Sequence, residues 1–118
     1  MPHLFFEYTD NLKIDTKQTL LRLNEALVGS GHFDENAIKA RAIKLDDYVV
    51  GTQPQARRAF LHMRLTILSG RTAEVKKQVA ELLVATVQKG QAWPEDTQVQ
   101  ITAELIDMQR DIYGKQVL

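Results

Sequence analysis

The residue of this chain with the most distinctive chemistry is its second, a proline, in an opening segment that reads MPHLFFEYTD. A methionine that precedes so small a residue is normally removed, and the chain then begins with a secondary amine. Its lone pair is titratable and held rigidly in a ring, unlike any other backbone nitrogen. In an apolar pocket at the edge of a sheet, desolvation lowers the pKa of such an amine by disfavouring its ammonium form, and neighbouring arginines push the same way. A base that is neutral near pH 7 is what proton abstraction next to a carbonyl requires. Proline at position 2 is common in proteins of all kinds, so its meaning depends on what surrounds it.

The other residues that do chemistry form few recognisable constellations. His3, His32 and His62 show no metal-ligand spacing, and there is no GxSxG nucleophile elbow. The glycines are scattered singly and form no phosphate-cradling loop, and the acidic residues form no obvious general-acid pair. His62 reads as a packed or hydrogen-bonded strand residue. With no cysteine, a disulfide framework, a thiolate metal site and a cysteine nucleophile are all excluded.

Several elements are available to position the proline. Pro2 to Tyr8 alternates as a strand, with Leu4, Phe6 and Tyr8 on one side and His3, Phe5 and Glu7 on the other. A helix capped by Asp15 or Thr16 runs to about Val28, with Leu20, Leu23, Leu27 and Val28 on one face and Gly29 to Gly31 ending it. A second strand spans Ile38 to Leu45, and Asp46 to Arg58 reads as a loop or hairpin excursion. Ala59 to Leu68 is the clearest strand, with Leu61, Met63, Leu65 and Ile67 on one face. Thr72 caps a second helix to Lys89, whose stripe is Val75, Val79, Leu82, Leu83 and Val87. Gln98 to Ile106 alternates as a fourth strand. The tail from Asp107 to Leu118 carries no clear pattern, and a short strand or an arm would both suit it.

The order is β-α-β twice over, in halves of roughly 2–46 and 59–106 within one domain, 1–118. A faint echo of Leu4 and Thr9 recurs at Leu61 and Thr66. Each helix is long enough for a crossover, so the strands that flank it should pair in parallel. Two architectures have this order, a ferredoxin-like sandwich and the double βαβ unit of the tautomerases, and pattern alone does not separate them. Helices cover only one face of a single small sheet, yet these strands are apolar or mixed on both sides. Another subunit is the natural cover, which predicts a homo-oligomer.

Composition sets the outer bounds. The chain has 118 residues, enough for one self-sufficient core, and 44% of them are hydrophobic. Its 15 Lys and Arg balance 15 Asp and Glu, which argues against a partner of nucleic acid or acidic membrane. No run of 18 apolar residues spans a bilayer and no secretory signal is visible, so a soluble, cytoplasmic protein is the expectation.

The segments PHLFFEYTDN, IKARAIKL, AFLHMRLTILSGRT and ELIDMQRDIYGK together resemble the 5-carboxymethyl-2-hydroxymuconate isomerase family of the tautomerase superfamily, over nearly the whole chain. The opening Pro-His strand with its Glu-x-Thr-Asp-Asn end is among the most specific pieces. So is the His-Met strand that runs into Ser-Gly-Arg-Thr. The resemblance implies an α+β (or α/β) tautomerase (MIF-like) fold: two βαβ units per chain, a mixed sheet with two helices on one face, and assembly as a homotrimer. It implies Pro2 as the general base, Arg71 as a substrate-binding and charge-stabilising residue, and Arg41 as a second substrate-binding residue.

A guanidinium fork binds a carboxylate through two parallel hydrogen bonds, which suits a dienol with two or three carboxylates. Arg71 also opens the second helix, where backbone N–H groups favour an anion. The implied substrate resembles 5-carboxymethyl-2-hydroxymuconate, from the breakdown of homoprotocatechuate, with no metal or organic cofactor needed. The rival from a different class is a non-catalytic ferredoxin-like binding or regulatory module with Arg41 and Arg71 as surface residues.

Overall fold

The computed structural model describes all of residues 1–118. Four strands form one sheet in the order β2-β1-β3-β4: β1 is His3–Thr9, β2 Lys39–Leu45, β3 Arg58–Leu68 and β4 Gln98–Met108. Helix α1, Thr16–Gly29, joins β1 to β2, and α2, Ala73–Lys89, joins β3 to β4. Both flanked pairs are parallel, β1 with β2 and β3 with β4, as crossovers of this length dictate. The halves meet where β1 runs antiparallel to β3, with His3 opposite Thr66 and Phe6 opposite Met63. In a ferredoxin-like sandwich each βαβ unit is split by a strand from the other half. Here β1 pairs with β2 directly, so the topology excludes that alternative.

One face of the sheet carries the core. Leu4, Phe6 and Tyr8 of β1 join Ala59, Leu61, Met63, Leu65 and Ile67 of β3, all buried under the helices. The helices contribute Leu23 and Leu27 from α1, and Val79, Leu83 and Val87 from α2. Sequence periodicity put Val28 on the α1 stripe, but that side chain is 37% exposed, and Thr19, 4% exposed, is buried instead. Val28 lies about 100° around the helix from Leu27, too far to share its contact. Both helices start on a side-chain cap: Asp15 accepts from the Gln18 N–H and Thr72 from the Val75 N–H, each at 3.2 Å.

The opposite face has no helix over it. Phe5, Phe60, His62, Thr66 and Leu68 lie there half-buried, while Ile43 and Ile106 are exposed. His62 is hydrogen-bonded, as its place in a strand suggested, with Thr102 Oγ1 and Glu104 Oε2 each 2.6 Å from its ring nitrogens.

Elements end close to where the sequence places them, apart from the tail. Strand β4 continues two residues beyond Ile106, to Met108. Neither a terminal strand nor a free arm follows. A single 3₁₀ turn, Arg110–Ile112, instead brings Tyr113 back across the start of β1.

Candidate active site

The candidate site is built at the head of β1, where the chain starts. Pro2 is buried, and its carbonyl accepts a hydrogen bond from the Lys39 N–H at 3.1 Å, which ties it into the β1–β2 ladder. With Met1 in place the proline nitrogen is an amide. The amine of Met1 is held below its ordinary value of 8.0, first by burial and then by four charges, Lys39, Arg71, Lys115 and Arg110, in that order. All four are positive, and no carboxylate opposes them. A chain of zero net formal charge thus concentrates cations around its amino terminus.

Arg71 reaches this neighbourhood from the turn between β3 and α2. Gly70 makes that turn with φ of +126°, a conformation that a side chain resists. The Arg71 guanidinium then donates to the His32 carbonyl at 2.6 Å and lies 4.7 Å from the centre of the Phe33 ring. The residues that follow α1 in the first half therefore orient the arginine that precedes α2 in the second.

Arg41 goes elsewhere within its own chain. It lies on the open face of edge strand β2, 4.4 Å from the centre of the Phe5 ring. Its Nη2 is 2.9 Å from His3 Nδ1. Arginine only donates, so Nδ1 accepts and the ring proton sits on Nε2, which donates to Tyr113 Oη at 3.0 Å. Burial, then Arg41, Lys39 and the amino terminus, hold the His3 imidazole below its ordinary 6.5, which favours this neutral tautomer. Of the two arginines expected near Pro2, Arg71 acts on the amino terminus directly, and Arg41 is one residue removed, through His3.

Sequence reasoning missed the contribution of the tail. Lys115 Nζ lies 3.0 Å from Met1 Sδ, and Arg110 Nε donates to the Ser69 carbonyl at 2.7 Å, beside Gly70 and Arg71. Nothing in the pattern of 107–118 pointed there, because the contacts are made by single side chains off an irregular backbone. Nor did the residue pattern hint at a cavity of about 600 Å³ at the 46–58 loop, lined in part by Asn11, Tyr48, Arg57 and Arg58. That cavity is at the opposite end of β1 from Pro2. No three His, Asp or Glu side chains come together in a way that could hold a metal ion.

The sequence pattern of the family described as "5-carboxymethyl-2-hydroxymuconate isomerase" matches residues 2–117. A crystal structure of a 5-carboxymethyl-2-hydroxymuconate isomerase from Deinococcus radiodurans R1 is similar over 98% of this chain and 88% of that one, with 31% identity and a TM-score of 0.79. A 5-carboxymethyl-2-hydroxymuconate delta-isomerase is similar over 99% and 88%, with 18% identity and a TM-score of 0.77. A fused 4-OT symmetric trimer is similar over 96% and 90%, with 20% identity and a TM-score of 0.73. Among curated proteins nothing matches the chain.

Proposed function

The chain belongs to the 5-carboxymethyl-2-hydroxymuconate isomerase family and has the tautomerase fold; from that premise we propose that it is a cofactor-independent tautomerase whose general base is the nitrogen of Pro2, liberated by removal of Met1. The observation that carries this reading is the buried proline at the head of β1, with an amino terminus beside it surrounded by positive charge alone. Burial and like charge both favour the neutral amine, the form that accepts a proton.

In the reaction we assign, the proline nitrogen takes the proton from the 2-hydroxyl of a dienol acid. The electron pair of the broken O–H bond becomes the 2-oxo group, the double bonds shift along the chain, and the same nitrogen returns the proton to carbon. The product is the conjugated 2-oxo-enoate. Negative charge spreads over the dienolate in between, and Arg71, fixed by the His32 carbonyl and the Phe33 ring, stabilises it. Arg71 also binds a substrate carboxylate. We assign Arg41 to a second carboxylate; it stands on an edge strand, where the neighbouring copy of a homotrimer would adjoin it. The half-buried apolar residues of the open sheet face supply a reason for that trimer. No helix is long and apolar enough to cross a membrane, and we place the reaction in the cytoplasm, on a dienol dicarboxylate or tricarboxylate of aromatic breakdown.

The test is ketonisation of 2-hydroxymuconate by untagged protein shown by intact mass to lack Met1. Turnover is expected, with a fall of about 10²-fold in kcat/KM for Arg71→Ala, the scale of losing one transition-state charge partner. An unchanged rate in that variant removes Arg71 from the site.

A further inference from the structure

Beyond the pair Pro2 and Arg71, we propose that the carboxy-terminal tail forms the far wall of the site, with Arg110 and Lys115 as a carboxylate-binding pair that selects substrates carrying an additional carboxylate. The proposal rests on the reading of Pro2 as the reacting centre and adds the part of the chain that recognises the rest of the substrate.

Three contacts place the tail. Arg110 follows the end of β4 and donates through Nε to the Ser69 carbonyl at 2.7 Å, which sets its guanidinium over Gly70, immediately before Arg71. A Cβ on Gly70 would lie 3.7 Å from Arg110 Nη2, an ordinary contact distance, so the two pieces of chain lie against each other. Tyr113 then hydrogen-bonds His3, the residue next to Pro2, with the rings edge to face at 6.3 Å. Two residues later Lys115 Nζ comes to 3.0 Å from the Met1 sulfur.

A thioether is a weak acceptor for an ammonium group. Met1 is thus a poor partner for Lys115, and it is the residue whose removal the proposed reaction requires. Once it leaves, the Lys115 ammonium faces the space beside the proline nitrogen that the methionine side chain filled. Neither Lys115 nor Arg110 forms an ion pair with a carboxylate within the chain.

Like charges brought together cost free energy unless an anion joins them. Two arginines and two lysines from three separated parts of the chain exceed what one carboxylate needs. Lys39 has a partner in the Ala37 carbonyl at 2.7 Å, and Arg71 has the His32 carbonyl. Lys115 has only the Met1 sulfur, and Arg110 uses Nε on Ser69, which leaves its terminal nitrogens to donate. All four cations keep donors in reserve, but Lys115 alone has no oxygen partner, and both terminal nitrogens of Arg110 are free. Tyr113 is a positioning residue, holding the tail through His3 and touching no substrate itself.

The experiment measures binding without turnover. Untagged protein lacking Met1 is titrated calorimetrically with propane-1,2,3-tricarboxylate and with butanoate, a monocarboxylate of similar length. Wild type is expected to prefer the tricarboxylate. In Lys115→Gln and in Arg110→Gln that preference should fall about tenfold, the scale of one charge-assisted hydrogen bond. Lys115→Arg should keep most of it, because the charge is retained. Tyr113→Phe, which deletes only the bond to His3, should lower it about threefold.

Equal affinity of wild type for both acids overturns the proposal, and so does an unchanged preference in both glutamine variants. Because no proton is transferred, the outcome is separate from the fate of Pro2. A protein that selects the tricarboxylate through Lys115 and Arg110 yet isomerises nothing contradicts the proposed function and leaves the tail assignment standing. A protein that isomerises while the glutamine variants bind like wild type contradicts the tail assignment alone.

Discussion

Two groups near the chain's start have shifted proton affinities, and both shifts yield measurable consequences. Burial and the surrounding cations lower the affinity of the amino terminus, and the same causes act on a liberated Pro2. The rate of a free-base mechanism rises with pH, so the midpoint of the kcat/KM profile should lie below the ordinary amino-terminal value of 8.0. In Arg71→Ala the midpoint should move upward, because one repelling charge is gone. His3 gives a stability prediction with a definite sign. Its folded pKa lies below 6.5, so the unfolded chain binds the proton more readily and stability falls as pH drops through 6.5. The difference in Tm between wild type and His3→Gln should therefore shrink between pH 7 and pH 5; a constant difference contradicts the lowered proton affinity of His3. Pro2 could be proposed from sequence because a free secondary amine follows from its place after Met1, while its role depends on its surroundings. The partnership of His3 with Arg41 and Tyr113 could not, since it joins residues 38 and 110 positions apart.

At the scale of elements, the strands and helices were readable because each has an unbroken period. Leu61, Met63, Leu65 and Ile67 alternate without interruption, and all four are buried on the helix side. Val79, Leu83 and Val87 recur at helical spacing and are buried in turn. The α1 stripe was misread at Val28 because apolar character was taken for burial, whereas a helix end has too few neighbours to cover both Leu27 and the next residue around. The tail was unreadable because its turn at Arg110–Ile112 is held by side-chain bonds that leave no period. Two predictions belong here. Leu83→Ala, in the middle of the core, should lower stability by about 2–5 kcal/mol in chemical denaturation. Gly70→Ala has little steric obstacle, but it forces a side chain onto φ of +126°, so it should cost about 1–3 kcal/mol. Because Gly70 aims Arg71, the same variant should also lose activity beyond what its Tm explains.

For the whole molecule, the direct pairing of β1 with β2 and of β3 with β4 decides the fold, and it also creates an open sheet face with two free edges. Sequence showed the two-sided apolar strands but not which partner strand each would take, because β-α-β order is common to split and unsplit units. The open face is where a homotrimer would pack. Ile106→Lys puts a charge on that face at a residue 38% exposed in the single chain, so the protomer should still fold. Sedimentation should give about three times 13.4 kDa for wild type and a lower mass for the variant. A wild-type mass of 13.4 kDa contradicts the trimer and leaves the open face without its proposed cover.

The account turns on the nitrogen of Pro2, and one comparison reaches it directly. Two preparations of the same chain, one with Met1 removed and one with it retained, both verified by intact mass, are assayed with 2-hydroxymuconate under identical conditions. The free-proline form should turn over, and the methionine-bearing form should be slower by about 10²-fold or more, because an amide nitrogen cannot serve as the base. Equal rates from the two forms would contradict the proposal that Pro2 carries the proton.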